Sequence, residues 1–288
     1  MNSVKKALFW AIESLKNGGI ENPQLDAEVL LAHVLNVDRT LLYLDQDAVL
    51  DIEKSGYFKS LIEKRLLHIP ISYLTGHKEF MSLDFKVNEN VLIPRPETEL
   101  LVEYVIKSSI TYSKILEIGT GSGAIAVSIA KYRQNCFILA TDLSMKALIV
   151  ARENAVIHNV DKQIFFVQSD LFNAISANHK FNWIVSNPPY IPTDDIKKLS
   201  NEVKYEPIMA LDGGNDGLDI IKKIIGNAYN FLEPNGKLAI EIGYGQSESV
   251  LKIADEIGKY ADYYFVDDYA GIPRVFCCSN KDKEGYNG

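Results

Sequence analysis

From Val4 through Ala7, Leu8, Ala11, Ile12 and Leu15, apolar residues recur at intervals of three and four, and Asn17-Gly18-Gly19 closes the run as a helix stop. A second run at the same spacing predicts a helix over Gln24 to Leu35, with Leu25, Val29, Ala32 and Leu35 on one face and Asn36 ending it. A third covers Ile52 to Leu67, where Phe58, Leu61, Ile62, Leu66 and Leu67 form the apolar side. Together they predict a small helical bundle over residues 1–70. Pro70 interrupts the helical period. Ile71 to Gly76 and Phe80 to Val87 then read as short extended pieces, a hairpin linker over 71–92.

Beyond this linker the period changes again. Pro96 with Glu97 and Glu99 opens a helix that the pattern carries to Ile110. From Lys114 short apolar runs alternate with helical stretches, which implies a mostly parallel sheet with helices on its faces, an α/β architecture. The predicted strands are Ile115 to Ile118, Phe137 to Thr141, Ile164 to Gln168, Trp183 to Ser186, Lys237 to Ile242, Tyr263 to Val266 and Val275 to Cys278. The predicted helices between them are Gly123 to Tyr132, Ser144 to His158, Leu218 to Leu232 and Ser247 to Lys259, and the polar tail from Asn280 to Gly288 reads as frayed.

Composition narrows the function classes. A formal charge of −8 argues against an extended cationic surface for nucleic acid, because Lys and Arg contacts to phosphate supply most non-specific affinity. No apolar run approaches the ~20 residues of a membrane span, and no continuous apolar segment at the N-terminus is followed by a small-residue cleavage site. The odd set Cys136, Cys277 and Cys278, without metal-type spacing, points to a reducing, cytoplasmic setting. Five scattered histidines give no metal cluster.

The candidate chemistry lies at the carboxyl ends of successive strands, where open α/β sheets bind their ligands. Glu117-Ile118-Gly119-Thr120-Gly121-Ser122-Gly123 leaves the first of these strands and enters a helix, and its glycines let a ligand approach the backbone. Glycines at 119, 121 and 123 suit the nucleoside of S-adenosylmethionine, while Ala124 satisfies the looser dinucleotide fingerprint, so this loop alone admits either. Asp142 ends the next strand, where an acidic side chain can accept both ribose hydroxyls or cap the helix from Ser144. Asp170, Leu171 and Phe172 follow the third strand and offer a polar edge and an apolar face for adenine. Asn187-Pro188-Pro189-Tyr190 follows the fourth. Here the Asn187 side chain and the Pro188 carbonyl can accept the two N–H groups of an amide or exocyclic amine, and Tyr190 supplies a flat face.

This series resembles a class I S-adenosylmethionine-dependent methyltransferase acting on nitrogen. Ile93-Pro94-Arg95-Pro96-Glu97-Thr98-Glu99, Gln168-Ser169-Asp170, Ser186 to Ile191, Tyr205-Glu206-Pro207, Leu211-Asp212-Gly213-Gly214 and Asp216-Gly217-Leu218 narrow the resemblance to the HemK/PrmC family of release factor glutamine methyltransferases, over nearly the whole chain. Leu171 departs from those relatives that carry an aromatic residue there. The resemblance implies a seven-stranded sheet over residues 93–288, a substrate-recognition role for the helical bundle, and methylation of the glutamine side chain in a Gly-Gly-Gln loop of release factors. It implies Asn187, Pro188 and Tyr190 as catalytic residues, Pro189 beside them at the substrate, and Gly119 to Gly123, Asp142, Asp170 to Phe172 and Asn187 around the cofactor. Methylation of a DNA or RNA base amine is the rival, since the same four residues can grip a flipped base.

Overall fold

The computed structural model describes residues 3–109 and 112–281, so the predicted helix end at Ile110 and the tail beyond 281 lie outside the described residues. Two compact units emerge, one of residues 1–77 with Ser200–Tyr205 and one of Lys78–Leu199 with Glu206–Gly288.

The first unit contains α1 (Val4–Asn17), α2 (Pro23–Leu35), α3 (Ile52–Leu66) and α4 (Ile71–Thr75). Its core gathers the predicted stripes, with Ala7, Ala11 and Leu15 of α1 against Leu30 and Leu31 of α2 and Phe58, Leu61 and Ile62 of α3. A buried ion pair, Arg65 Nε to Asp26 Oδ2 at 2.7 Å, crosses this core, and Arg65 also bonds Glu202. One expectation fails: Ile71 to Thr75 is helical, not extended. Pro70 holds φ −56° and ψ 139° just before it, and its carbonyl accepts from Tyr73 and Leu74, starting a helix as proline does at an N-terminus.

In the second unit, the hairpin β1 (His77–Phe80) and β2 (Leu83–Lys86) is followed by α5 (Thr98–Ser108), β3 (Lys114–Ile118), α6 (Ala124–Tyr132), β4 (Phe137–Asp142), α7 (Met145–Ile157) and β5 (Ile164–Gln168). Then come β6 (Phe181–Ser186), the single turn α8 (Thr193–Ile196), α9 (Asp219–Ala228), β7 (Leu232–Glu241), α10 (Ser247–Ile257), β8 (Tyr260–Asp267) and β9 (Pro273–Asn280). The large sheet runs β5-β4-β3-β6-β7-β9-β8, parallel except for β9, which is antiparallel to both of its neighbours. All seven predicted strands are present.

Side chains alternate across this sheet. Ile115, Trp183, Val185 and Ala239 face a core shared with α5, α6 and the hairpin residues Phe80 and Phe85. Leu116, Ile184, Leu238 and Ile240 face a second core with α9 and α10. Burial on both faces explains why the strands are continuous apolar runs. The helix predicted to reach Leu232 stops at Ala228, because Leu232 already pairs with Phe181 as the first residue of β7. After β5 the chain returns to the other side of β3, so the loops after β3 and β6 flank a topological switch point, where a crevice opens in such sheets.

Candidate active site

At that switch point lies a cavity of about 490 Å³, within the range of small-molecule sites. Gly119 and Gly121 line it in left-handed conformations, φ 75° and 55°, and a Cβ on either would meet nothing within 4 Å, so their backbone faces open space. Gly123 has another job. At φ 80° it lies against α7, where a Cβ would come within 3.1 Å of Ala151. Thr120 and Ser122 are buried and hold the loop from beneath: Thr120 Oγ1 donates to Glu117 Oε2 at 2.7 Å, and the Ser122 carbonyl accepts from Asn154 at 2.8 Å. The three do not line the cavity, which corrects the expectation that the whole loop contacts the cofactor.

Asp142 lines the cavity and also shapes it. Its Oδ2 accepts from the Gly121 N–H at 2.8 Å and its Oδ1 from the Ser144 N–H at 2.8 Å, while Ser144 itself caps α7. An ionised carboxylate has about four acceptor positions, so acceptor capacity remains for a ribose hydroxyl. Burial pushes the Asp142 carboxyl above its usual range, and the backbone N–H groups of Ser144, Gly121 and Leu143 oppose that shift. Beneath the loop, burial raises fully enclosed Glu117 to about 8, with Thr120 counteracting and Asp142 adding to the rise.

Asp170 and Leu171 lie on the wall. Phe172 does not. It stacks on Phe231 with centroids 4.7 Å apart and planes at 13°, in the core shared by α9 and β7, because an aromatic ring gains more apolar contact there than at the cavity rim.

On the opposite side, Asn187, Pro188 and Pro189 line the cavity. Asn187 Nδ2 donates one of its two N–H groups to Thr98 Oγ1 at 3.0 Å, at the first residue of α5, which fixes the orientation of the amide, and its side-chain carbonyl can accept an incoming N–H. Tyr190 turns away. Its hydroxyl donates to Glu241 Oε1 at 3.2 Å, and its ring borders a second recess with Gly243 and Gln246, so it gives no flat face to the first cavity. Glu241 is buried at the end of β7, and desolvation raises it to about 7 while the Thr98 and Tyr190 hydroxyls lower it.

Other participants were not singled out from sequence. Asn90, Val91 and Leu92 form one wall and Pro207 to Ala210 another. Glu206 joins the two stretches, accepting from the Ile93 N–H at 3.0 Å and from Arg95 Nη2 at 2.5 Å. Thr98, Arg95 and Glu206 stood inside the motifs quoted above without an assigned role. Glu241 had a usable signal, a carboxylate directly after the apolar run Leu238-Ala239-Ile240 at the end of β7. Among the described residues no group of His, Cys, Asp and Glu could hold a metal ion.

The fold is shared with solved methyltransferases: a ribosomal protein L11 methylase from Lactobacillus delbrueckii subsp. bulgaricus (TM-score 0.50, 19% identity, 68% of this chain and 84% of that one) and a methyltransferase from Pyrococcus furiosus (TM-score 0.52, 22%, 71% and 92%). Residues 96–203 match the methyltransferase small domain and residues 6–76 the PrmC N-terminal domain. Fold and cavity thus define a class I S-adenosylmethionine-dependent methyltransferase. A release factor glutamine methyltransferase of Moorella thermoacetica is 41% identical over 283 residues, covering 98% of this chain and 100% of that protein, and one of Geobacter sulfurreducens is 39% identical, covering 95% of each. The chain belongs to the release factor glutamine methyltransferase family.

Proposed function

We propose that this protein transfers a methyl group from S-adenosylmethionine to the side-chain amide nitrogen of the glutamine in the Gly-Gly-Gln loop of peptide-chain release factors, with the residues named here in the roles given. The observation that carries the reading is the Asn187 side chain, oriented by its bond to Thr98 and lining the cavity that Gly119, Gly121 and Asp142 also line.

The backbone of Gly119 and Gly121, the Asp142 carboxylate and the Asp170–Leu171 wall would hold the cofactor, because the two glycines leave room that any side chain would fill. When bound, it supplies an electrophilic methyl group on a sulfonium. An amide nitrogen is a poor nucleophile, since its lone pair is delocalised into the carbonyl. The Asn187 and Pro188 carbonyls accept its two N–H groups and so fix its orientation, and the apolar walls exclude water. The same acceptors favour the positive charge that develops as the N–C bond forms, the opposite polarity to an oxyanion hole, and one of the two held N–H protons then leaves to water to give the neutral N-methyl amide. Tyr190 acts from behind, as an anchor of the turn.

The helical unit serves recognition of the protein substrate in a division 1–70, 71–92 and 93–288. Support comes from its exposed apolar residues Leu44, Val49 and Ile52, 80%, 83% and 93% exposed. Leu44→Ser with Ile52→Ser should raise KM for release factor several-fold and leave cofactor affinity alone, and unchanged KM would refute this role. Three buried thiols fit a cytoplasmic location, and among the described residues no helix is long and apolar enough to cross a membrane.

The test uses methyl-labelled S-adenosylmethionine with purified release factor or nucleic acid. Label should enter the release factor and vanish when its Gly-Gly-Gln glutamine is replaced. Label in nucleic acid alone would favour the base-amine alternative and overturn the reading.

A further inference from the structure

The stretch from Leu211 to Leu218 and the end of α10 near Gln246 do no chemistry, yet both press against the Asn187–Tyr190 turn. An isolated bridge joins Ile191 to Asp212 and holds the segment entering α8 beside 211–214: the Ile191 N–H donates to the Leu211 carbonyl at 3.0 Å, the Gly213 N–H to the Ile191 carbonyl at 2.9 Å and the Thr193 N–H to the Gly214 carbonyl at 2.9 Å. The approach is too close for side chains. A Cβ on Gly213 would lie 2.8 Å from the Pro189 carbonyl oxygen and from Tyr190 Cα, and one on Gly217 would lie 2.3 Å from the Tyr190 carbonyl oxygen. Backbone sits on the other side of each contact, so neither clash can be relieved by a rotamer change.

Gln246 closes the arrangement. Its Nε2 donates to the Tyr190 carbonyl at 3.0 Å and to the Gly217 carbonyl at 3.3 Å, while its Oε1 accepts from the Gly243 N–H at 2.8 Å. One side chain therefore joins three loops: the acceptor turn after β6, the glycine-containing stretch before α9 and the turn after β7. Pro188 and Pro189 have no N–H of their own, so the turn cannot secure itself through those two residues. Its position depends on the Asn187 bond to Thr98 at one end and on bonds made by Tyr190 and Ile191 at the other.

We propose that Gln246 is a positioning residue for methyl transfer: by fixing the Tyr190 carbonyl against Gly217 and Gly243, it sets where the Asn187 side chain and the Pro188 carbonyl meet the acceptor nitrogen. This rests on the reading of the Asn187–Tyr190 turn given above, and it gives the glycines at 213 and 217 a reason. A misplacement of about 1 Å in a positioned group can cost on the order of 10² in rate, so loss of this tether reaches the chemical step although Gln246 touches neither reactant.

The test is single-turnover methyl transfer by the full-length protein at saturating S-adenosylmethionine and release factor, read beside cofactor affinity by calorimetry and Tm. Gln246→Met, which keeps length and loses all three bonds, should slow transfer roughly tenfold with cofactor affinity within about twofold of wild type. Gln246→Glu keeps the acceptor for Gly243 and loses the donor to Tyr190, and should be as slow. If Gln246→Met fails to fold, Gln246→Asn, with the amide but without the reach, is read by the same criterion. Asn187→Ala is run in parallel and in combination. Because Gln246 acts through that turn, Gln246→Met should cost little more in the Asn187→Ala background, a coupling that general destabilisation would not produce. A slow Asn187→Ala beside a fast Gln246→Met, or losses that multiply in the double variant, would overturn the Gln246 role alone. A fast Asn187→Ala would take the active-site reading down with it.

Discussion

The two sides of the cavity are built in different ways. On the cofactor side the shaping contacts are shorter in sequence: Thr120 bonds Glu117 three residues away, Ser144 caps its own helix, Asp142 reaches 21 residues to Gly121, and Asn154 reaches 32 to Ser122. The acceptor side depends on distant partners. Asn187 meets Thr98 across 89 residues, Tyr190 meets Glu241 across 51 and Gln246 across 56, and Glu206 reaches Arg95 across 111. A nucleotide half-site can be made by one strand-turn-helix unit and its neighbour, whereas a site that must orient a weak nucleophile draws on several elements whose packing fixes its geometry.

The largest effect should come from the local side. Gly121→Val places a branched residue at φ 55° and fills space facing the cavity, so cofactor affinity should fall by more than about 10², measured by calorimetry on protein shown to be folded. Wild-type affinity would mean that the cofactor lies elsewhere. Asn187→Ala should leave cofactor affinity nearly unchanged while slowing single-turnover transfer by roughly 10²–10³, the range for loss of one preorganised polar group. If instead it weakened the cofactor as much as it slowed chemistry, the division between the two sides would collapse.

Thr98→Val sharpens the comparison. It removes the acceptor that orients Asn187 and keeps the shape of the side chain, so the rate should drop about tenfold with little change in KM, as expected when transition-state contacts are lost. A change confined to cofactor affinity would assign Thr98 to the other side.

The smallest effect concerns stability. Burial raises Glu117 from its ordinary value of 4.5 to about 8, so the fold favours the protonated form. Its stabilising contribution is complete below the unfolded value and is lost as pH rises through the folded one, and Glu241, raised to about 7, has the same sign. Glu117→Gln, neutral at every pH, should therefore raise Tm by a few °C near about pH 9 and change it little near about pH 5, read from thermal melts across that range. A Tm difference independent of pH would show that Glu117 does not titrate in this way.

The sequence by itself determined the seven strands, the helical bundle, the glycine loop, Asp142 at the end of β4 and Asn187 just past β6. Each is written in neighbouring residues: in continuous apolar runs and apolar periods of three to four, in glycines where φ must be positive, and in prolines that fix the turn. Only the tertiary structure decided that Gly119 and Gly121 face the cavity while Gly123 packs on α7, that Phe172 belongs to the core, and that Tyr190 turns toward Glu241. It alone brought Thr98, Glu206 and Gln246 to the motifs they support. Those facts depend on which side chains meet after the intervening chain has packed, across as many as 111 positions between Arg95 and Glu206, and no local period encodes the direction in which a side chain will find its partner.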